Sequence, residues 1–261
     1  GNGDDQIFGG AGNDTLDGST GNNILSGGDG NDFFIVNGAN DVVLDSAGID
    51  TMLLRSASIS LPGILVENVI GDITGQAFSI IGNSLSNQAT GGTLADTILG
   101  YQSTDTLLGL DGNDFLDGGT DDDSLSGGNG DDQIFGGAGN DTLDGGAGND
   151  LLNGGADADQ FVFNTTLGGG NIDTLQGYNV VDDVILLDDA IFTALGAPGA
   201  LAAGAFNTGT AATQSDDRIV FNVSSGALLY DADGVGGAAA IQFATLTGIT
   251  GTITHAEFLI I

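Results

Sequence analysis

The 261-residue chain carries 36 acidic residues against two basic ones, Arg55 and Arg218, for a formal net charge of −34. This charge excludes nucleic acid and anionic membranes as direct partners, because both repel such a chain unless a cation bridges them. The 48 glycines lack a G-X-Y period, which excludes collagen, while an apolar content of 40% with 13 Phe is enough for a core and argues against simple disorder. Cysteine is absent, so there is neither a disulfide framework nor thiol chemistry. The longest apolar stretch, Ala190 to Ala203, is interrupted by Gly196, Pro198 and Gly199, so no membrane span is expected.

The chain has no initiator Met or signal peptide, and Gly1 enters a repeat one residue late. This reads as a piece of a longer protein. From the start the sequence repeats every nine residues, with the clearest copies at Gly127 to Asn153, which read GGNGDDQIF, GGAGNDTLD and GGAGNDLLN. The form is G-G-x-G-(N/D)-D-x-(apolar)-x. Taking the Asp as position six, the first array (1–53) places Asp5, Asp14, Asn23, Asp32, Asp41 and Asp50 there. Its position eight is Ile7, Leu16, Leu25, Phe34, Val43 and Met52.

The glycines permit the positive backbone angles of a tight turn, and the Asp aims a hard oxygen into it. The three residues that follow form a short strand whose middle residue points inward. One nonapeptide is half a coil, and the expected fold is an all-β, calcium-binding parallel β-roll, a β-solenoid. Val36 to Leu44 and Asp45 to Leu53 keep the phase with altered turns, which should make them poor metal sites. Asn23, where a carboxylate is expected, should weaken its own.

Between residues 54 and 81 the period is lost, and Asn87 falls one residue beyond four further repeats after Asp50. Short apolar runs, Ile59 to Leu61, Val66 to Ile70 and Phe78 to Ile81, are separated by Pro62, Gly63, Gly71 and Gly75. They are expected to form irregular strands and turns that keep the solenoid core continuous without metal. The alternative is a separate small binding domain.

The second array (82–162) places Asn87, Asp96, Asp105, Asp114, Asp123, Asp132, Asp141, Asp150 and Asp159 at position six. Position eight runs from Ala89 through Ile98, Leu107, Leu116, Leu125, Ile134, Leu143 and Leu152 to Phe161. Its first repeats have lost turn glycines, so the metal-binding part is expected from Gly109 to Asp159. After Val162 glycine thins out, and runs such as Asp183 to Leu187, Arg218 to Val223 and Ala240 to Phe243 predict an antiparallel C-terminal β cap over 163–261. Asp231-Ala-Asp233-Gly234 resembles the start of a calcium loop, but Gln242 stands where an EF-hand needs a bidentate Glu. A plain turn or an isolated calcium site is expected there.

These nonapeptides resemble those of the RTX, or haemolysin-type calcium-binding, family of bacterial proteins exported by type I secretion. The ending is similar too, with GGADADQFVF passing into a cap and a terminus of Glu257-Phe258-Leu259-Ile260-Ile261 like the family's uncleaved export signals. The resemblance implies ions held between turns eighteen residues apart. One turn gives the carbonyls of positions two and four and its Asp, and the other gives the carbonyls of positions one and three and its Asp. Carried over, Gly128, Gly130 and Asp132 face Gly145, Ala147 and Asp150, while Gly137, Gly139 and Asp141 face Gly154, Ala156 and Asp159. Upstream, Leu110, Gly112 and Asp114 face Gly127, Asn129 and Asp132; Gly119, Asp121 and Asp123 face Gly136, Ala138 and Asp141. In the first array Gly10, Gly12 and Asp14 face Gly27, Asp29 and Asp32. The departures are Leu110 at position two and Asp121 and Asp157 at position four, where glycine is expected. An all-oxygen ligand set selects calcium over zinc or copper.

Coils stacked about 4.8 Å apart would set successive carboxylates repelling by roughly 3 kcal/mol per pair at an effective dielectric near 20. A few such pairs rival the roughly 5 to 15 kcal/mol that holds a domain together, so the roll is expected to need several Ca²⁺ ions. The resemblance then implies a module that folds on calcium outside the cell and supports secretion and stability of a larger protein, with the type I secretion machinery as a partner of the C-terminus. Alternatives are a self-associating extracellular structural protein, such as a surface layer, filament or biofilm matrix, and a carbohydrate-contacting module of an exported enzyme. No catalysis is expected, because the lone His255 has no Cys or Lys to work with.

Overall fold

The structure is a computed structural model that describes residues 1–55, 64–72 and 75–261, together with the backbone of Ser58–Ser60. It is an all-β parallel solenoid; among the described residues the helical pieces are two 3₁₀ turns, Ala203–Ala205 and His255–Glu257. In the second array each strand alternates in exposure. In Gln133–Ala138, Ile134 and Gly136 point inward while Gln133 is exposed. Each strand pairs in parallel with the one a full coil later, so Leu116 meets Ile134 and Ile134 meets Leu152.

The pairing stacks the position-eight side chains into two columns that face one another across the roll. Leu16, Phe34, Met52, Leu107, Leu125, Leu143 and Phe161 lie in one and Leu25, Ile98, Leu116, Ile134 and Leu152 in the other, all at most 1% exposed. Burial of this continuous core, at about 25 cal/mol per Å², is what drives successive coils to stack. One sheet of twelve strands runs unbroken from Thr15–Asp17 to the C-terminal strand Phe258–Ile260 and Gly199–Ala200 beyond it. The opposite face is divided into a sheet of three strands ending at Val42–Leu44 and one of eleven beginning at Ser58–Ser60.

The aperiodic segment continues the core. Met52 pairs with Val69 and Val69 with Ala89, so a coil of 17 residues is followed by one of 20, and the odd spacing is absorbed within two coils. Val66, Val69, Phe78 and Ile80 are buried there. Leu61, Pro62 and Gly63 lie outside the described residues.

Beyond Phe163 the pairing differs from the antiparallel expectation. Leu152 pairs in parallel with Leu175 and Phe161 with Ile185, and these strands pair in parallel with Ile241–Thr247 and Phe258–Ile260. Leu175 and Ile185 take the inward places of one more coil, which a longer connection makes accessible without changing strand direction. Among the described residues antiparallel pairing is found in the Ile219–Asn222, Ala227–Tyr230 and Ile241–Thr247 meander, at Gly199–Ala200 and in an isolated bridge between Gly168 and Asn171. Aromatic rings cover the end of the core: Phe161 lies 5.7 Å from Tyr178, and Phe243 lies 5.1 Å from Phe163 and 5.2 Å from Phe192.

Candidate metal centre

The turns at the edges of the roll carry the site. At positions two and four the backbone is left-handed, as at Gly128 (φ 110°) and Gly130 (φ 135°). A Cβ on either glycine would strike the carbonyl oxygen of the turn one coil earlier, Leu110 or Gly112. Leu110, Asp121 and Asp157, the departures from glycine, hold the same conformation at φ 82°, 78° and 76°. The turn is thus kept where its usual residue is not, at a cost of about 1–2 kcal/mol each.

The position-six carboxylates form two ladders. Within each, Oδ1 accepts the backbone N–H of the position-six residue one coil earlier: Asp132 from Asp114 at 2.7 Å, Asp150 from Asp132 at 2.8 Å, Asp141 from Asp123 at 2.8 Å and Asp159 from Asp141 at 3.0 Å. The second oxygen, Oδ2, is buried without a hydrogen-bond partner in Asp14, Asp32, Asp50, Asp105, Asp114, Asp123, Asp132, Asp141, Asp150 and Asp159. An unpartnered buried carboxylate oxygen is costly, and a whole row of them fits the binding of cations.

The space for that cation lies beside position one. A Cβ built on Gly127 would strike Asp132 Oδ2 and come within 2.7 Å of the Gly145 carbonyl oxygen; at Gly136 it would meet Asp141 Oδ2 and the Gly154 carbonyl oxygen at 2.6 Å. Glycine at position one therefore leaves open a cradle walled by a carboxylate from one turn and a carbonyl from the next.

The structure brings together the residues of each turn pair expected from sequence. Gly128 and Asn129 lie opposite Gly146 and Ala147, and Gly130 N–H donates to the Ala147 carbonyl at 2.8 Å, so Gly128, Gly130 and Asp132 border Gly145, Ala147 and Asp150. Gly137 and Ala138 lie opposite Gly155 and Ala156, joining Gly139 and Asp141 to Gly154 and Asp159. Leu110 lies opposite Gly128, and Gly112 N–H donates to the Asn129 carbonyl, which sets Asp114 against Gly127 and Asp132. Gly119 lies opposite Gly137 and Thr120 opposite Ala138; a Cβ on Gly139 would strike the Asp121 carbonyl, and Asp123, beside Gly136, donates its N–H to Asp141 Oδ1. Gly10 lies opposite Gly28, Gly12 N–H donates to the Asp29 carbonyl at 2.7 Å, and Asp14 N–H donates to Asp32 Oδ1 at 2.8 Å, next to Gly27.

Some ladder members escape a reading by glycine. The Asp105 turn has Tyr101 (φ 83°) and Ser103 (φ 69°) in the left-handed conformation and the same unpartnered Oδ2. Glu67 replaces the missing Asp in the aperiodic coil and accepts Asp50 N–H at 2.8 Å. Asp173 and Asp183 extend the ladders into the C-terminal region, accepting the N–H groups of Asp150 and Asp159 at 3.1 Å. Each stands two residues before an inward Leu or Ile, which was the available signal.

Other carboxylates are satisfied without an ion. Asp41 Oδ2 accepts N–H groups from Asn37 and Gly38 at 3.1 and 2.9 Å; Asp96 Oδ2 accepts that of Gly92 at 2.5 Å. In these turns the backbone amides face inward. Asp231 Oδ1 likewise accepts Gly234 N–H at 2.9 Å, and Asp233 Oδ2 accepts Gly237 N–H at 3.0 Å, as in a plain turn.

Burial pushes the Asp132 carboxyl up to about 7; the N–H of Asp114 opposes the shift, and the charges on Asp150 and Asp114 reinforce it. Burial likewise lifts Asp123 and Asp159 to about 7, and Asp141 to about 6. The two arginines are engaged elsewhere: Arg55 pairs with Asp72 at 3.4 Å, and the Arg218 guanidinium donates to the carbonyls of Ser215 and Asp217. The donors at the turns are all oxygens, carboxylate and carbonyl, which suits a hard ion with many ligands and fits calcium. A search of curated proteins finds no match to the chain. Comparison with protein families matches the RTX calcium-binding nonapeptide repeat in 4 copies, over residues 1–34, 81–116, 90–125 and 126–161. With their left-handed turns, laddered aspartates and inward position-eight residues, residues 1–34 and 81–161 are similar to the RTX calcium-binding nonapeptide repeat.

Proposed function

We propose that the chain is a calcium-gated folding module of a larger exported protein, unfolded where calcium is scarce and folded outside the cell. The supporting observation is the row of buried Asp Oδ2 atoms that no protein donor reaches. Without ions the roll holds many desolvated like charges, and calcium at about 10⁻⁴ to 10⁻³ M, the range of extracellular modules, would supply their counter-charge. The C-terminal strand Phe258–Ile260 fits the same order of events. Phe258 and Ile260 are 1% and 3% exposed, so a type I exporter would have to read the terminus before the cap folds. The reading assigns no chemistry to this chain; His255 belongs to a 3₁₀ turn capped by Thr254 and Glu257.

The test is circular dichroism of the full chain during calcium titration. A change from a disordered to a β-rich spectrum is expected with calcium, and none with equimolar magnesium, which resists so many carbonyl ligands. A folded spectrum in excess chelator at neutral pH would sink the proposal.

A further inference from the structure

The last regular turn of the first array is built differently from the others. Position one, glycine in the intact turns, is Asp45, and its carboxylate enters the cradle that glycine elsewhere leaves open. A Cβ on Gly27 would meet both Asp32 Oδ2 and Asp45 Oδ1. One oxygen from each of Asp32, Asp45 and Asp50 lies within 4.8 Å of the others.

Asp32 and Asp50 are buried and Asp45 is half-buried. Asp32 and Asp50 are 2% and 0% exposed, and Oδ2 of each, with both oxygens of Asp45, lies buried without a donor in hydrogen-bond geometry. The Oδ1 atoms of Asp32 and Asp50 are used by the ladder, accepting from Asp14 and Asp32. The position-two carbonyl is also spent. Gly28 O accepts Ser46 Oγ at 2.7 Å and Ala47 N–H at 3.3 Å, which takes up both of its lone pairs. A side-chain oxygen from Asp45 stands in for the carbonyl an intact turn would offer.

We propose that Asp32, Asp45 and Asp50 form a three-carboxylate calcium site, distinct in composition from the two-carboxylate sites of the intact turns and the tightest in the chain. It rests on the reading of the arrays as calcium-binding. Affinity for calcium in oxygen sites rises with the number of charged ligands, and this site carries one more than its neighbours. It lies where the sheet opposite the continuous one divides, after Val42–Leu44, so filling it first would pin the end of the first array before the weaker turns load.

The test is calorimetric titration of the chelator-treated full chain with calcium chloride, beside Asp45→Asn and Asp45→Gly. The first variant keeps the shape and removes the charge, and the second restores the glycine of intact turns. The wild-type chain is expected to bind one ion at least tenfold more tightly than the rest, and both variants to lose that class while keeping the others. Isotherms that superimpose on the wild type would overturn the three-carboxylate site alone. Should Asp45→Asn fail to fold, a tight class retained in Asp45→Gly would also overturn it. Absence of calcium binding by every chain would overturn the reading of the arrays as well.

Discussion

Asp41 and Asp141 hold the same place in the nonapeptide, yet their second oxygens have different surroundings. In Asp41 it accepts two backbone N–H groups from its own turn, whereas in Asp141 it is buried with no donor. The difference arises in the preceding residues: Gly137 and Gly139 turn left-handed, while Asn37 and Gly38 present their amides inward. Asp141→Ala should therefore raise the calcium midpoint of folding by about tenfold, since it removes a charged ligand shared by adjacent turn pairs, and Asp41→Ala should raise it less, through lost backbone hydrogen bonds and not a lost ligand. Equal midpoints would show that phase rather than turn geometry makes a site. Leu110 gives a second residue-scale test. With φ at 82° it bears the left-handed cost, and Leu110→Gly should stabilise the calcium-loaded fold by up to about 1 kcal/mol in denaturant titration, the relief being partly offset by the entropy of glycine.

At the scale of elements, the segment after Phe163 ends both sheets and both ladders. Strands Asp173–Gln176 and Val184–Leu187 complete one more coil, and the rings of Tyr178, Phe192 and Phe243 close the column that ends at Phe161 and Phe163. Repeat arrays need such an end to stay soluble. Truncation after Asn164 keeps the turns of the second array but removes Asp173, Asp183 and the aromatic cover. It is expected to weaken calcium-induced folding or convert it to aggregation, followed by ellipticity and light scattering. Equal calcium midpoints and a monomeric truncated roll would show that the segment has no capping role.

The whole molecule couples protons to calcium through its ladders. Burial lifts Asp114 and Asp141 to about 6, Asp105, Asp123, Asp132 and Asp159 to about 7 and Asp173 to about 8, whereas unfolded Asp titrates near about 3.9. The calcium-free fold thus binds more protons than the unfolded chain. Its stabilisation by protons is full below about pH 4 and is lost as pH rises through about 6 to 8. The chelator-treated chain should accordingly gain β structure on acidification from pH 8 toward pH 4. Calcium competes with those protons in the fold, so adding it to the acid-folded chain near about pH 5 should release protons, whereas folding from the unfolded chain at about pH 8 should release few. No gain of β structure on acidification would contradict the buried ladders.

The nine-residue phase alone determined the parallel roll, its edges and its core, because position six and position eight recur through every departure from glycine. Ile98, Leu107 and Leu116, for example, are all buried, although the turns before Ile98 and Leu107 have lost glycines. The turn pairs that would hold ions followed from the same phase, since residues eighteen apart on a solenoid must be neighbours. Only the tertiary structure decided which carboxylates keep an unpartnered oxygen, because that depends on where the amides of the preceding turn point, as Asp41 and Asp105 show from opposite sides. It also decided that Glu67, Asp173 and Asp183 join the ladders across coils of altered length, and that Asp45 meets Asp32 and Asp50. The physical reason is shared: a local period carries backbone phase, whereas the partner of a buried oxygen is supplied by a coil 17 to 24 residues away, through connections whose length the period does not govern.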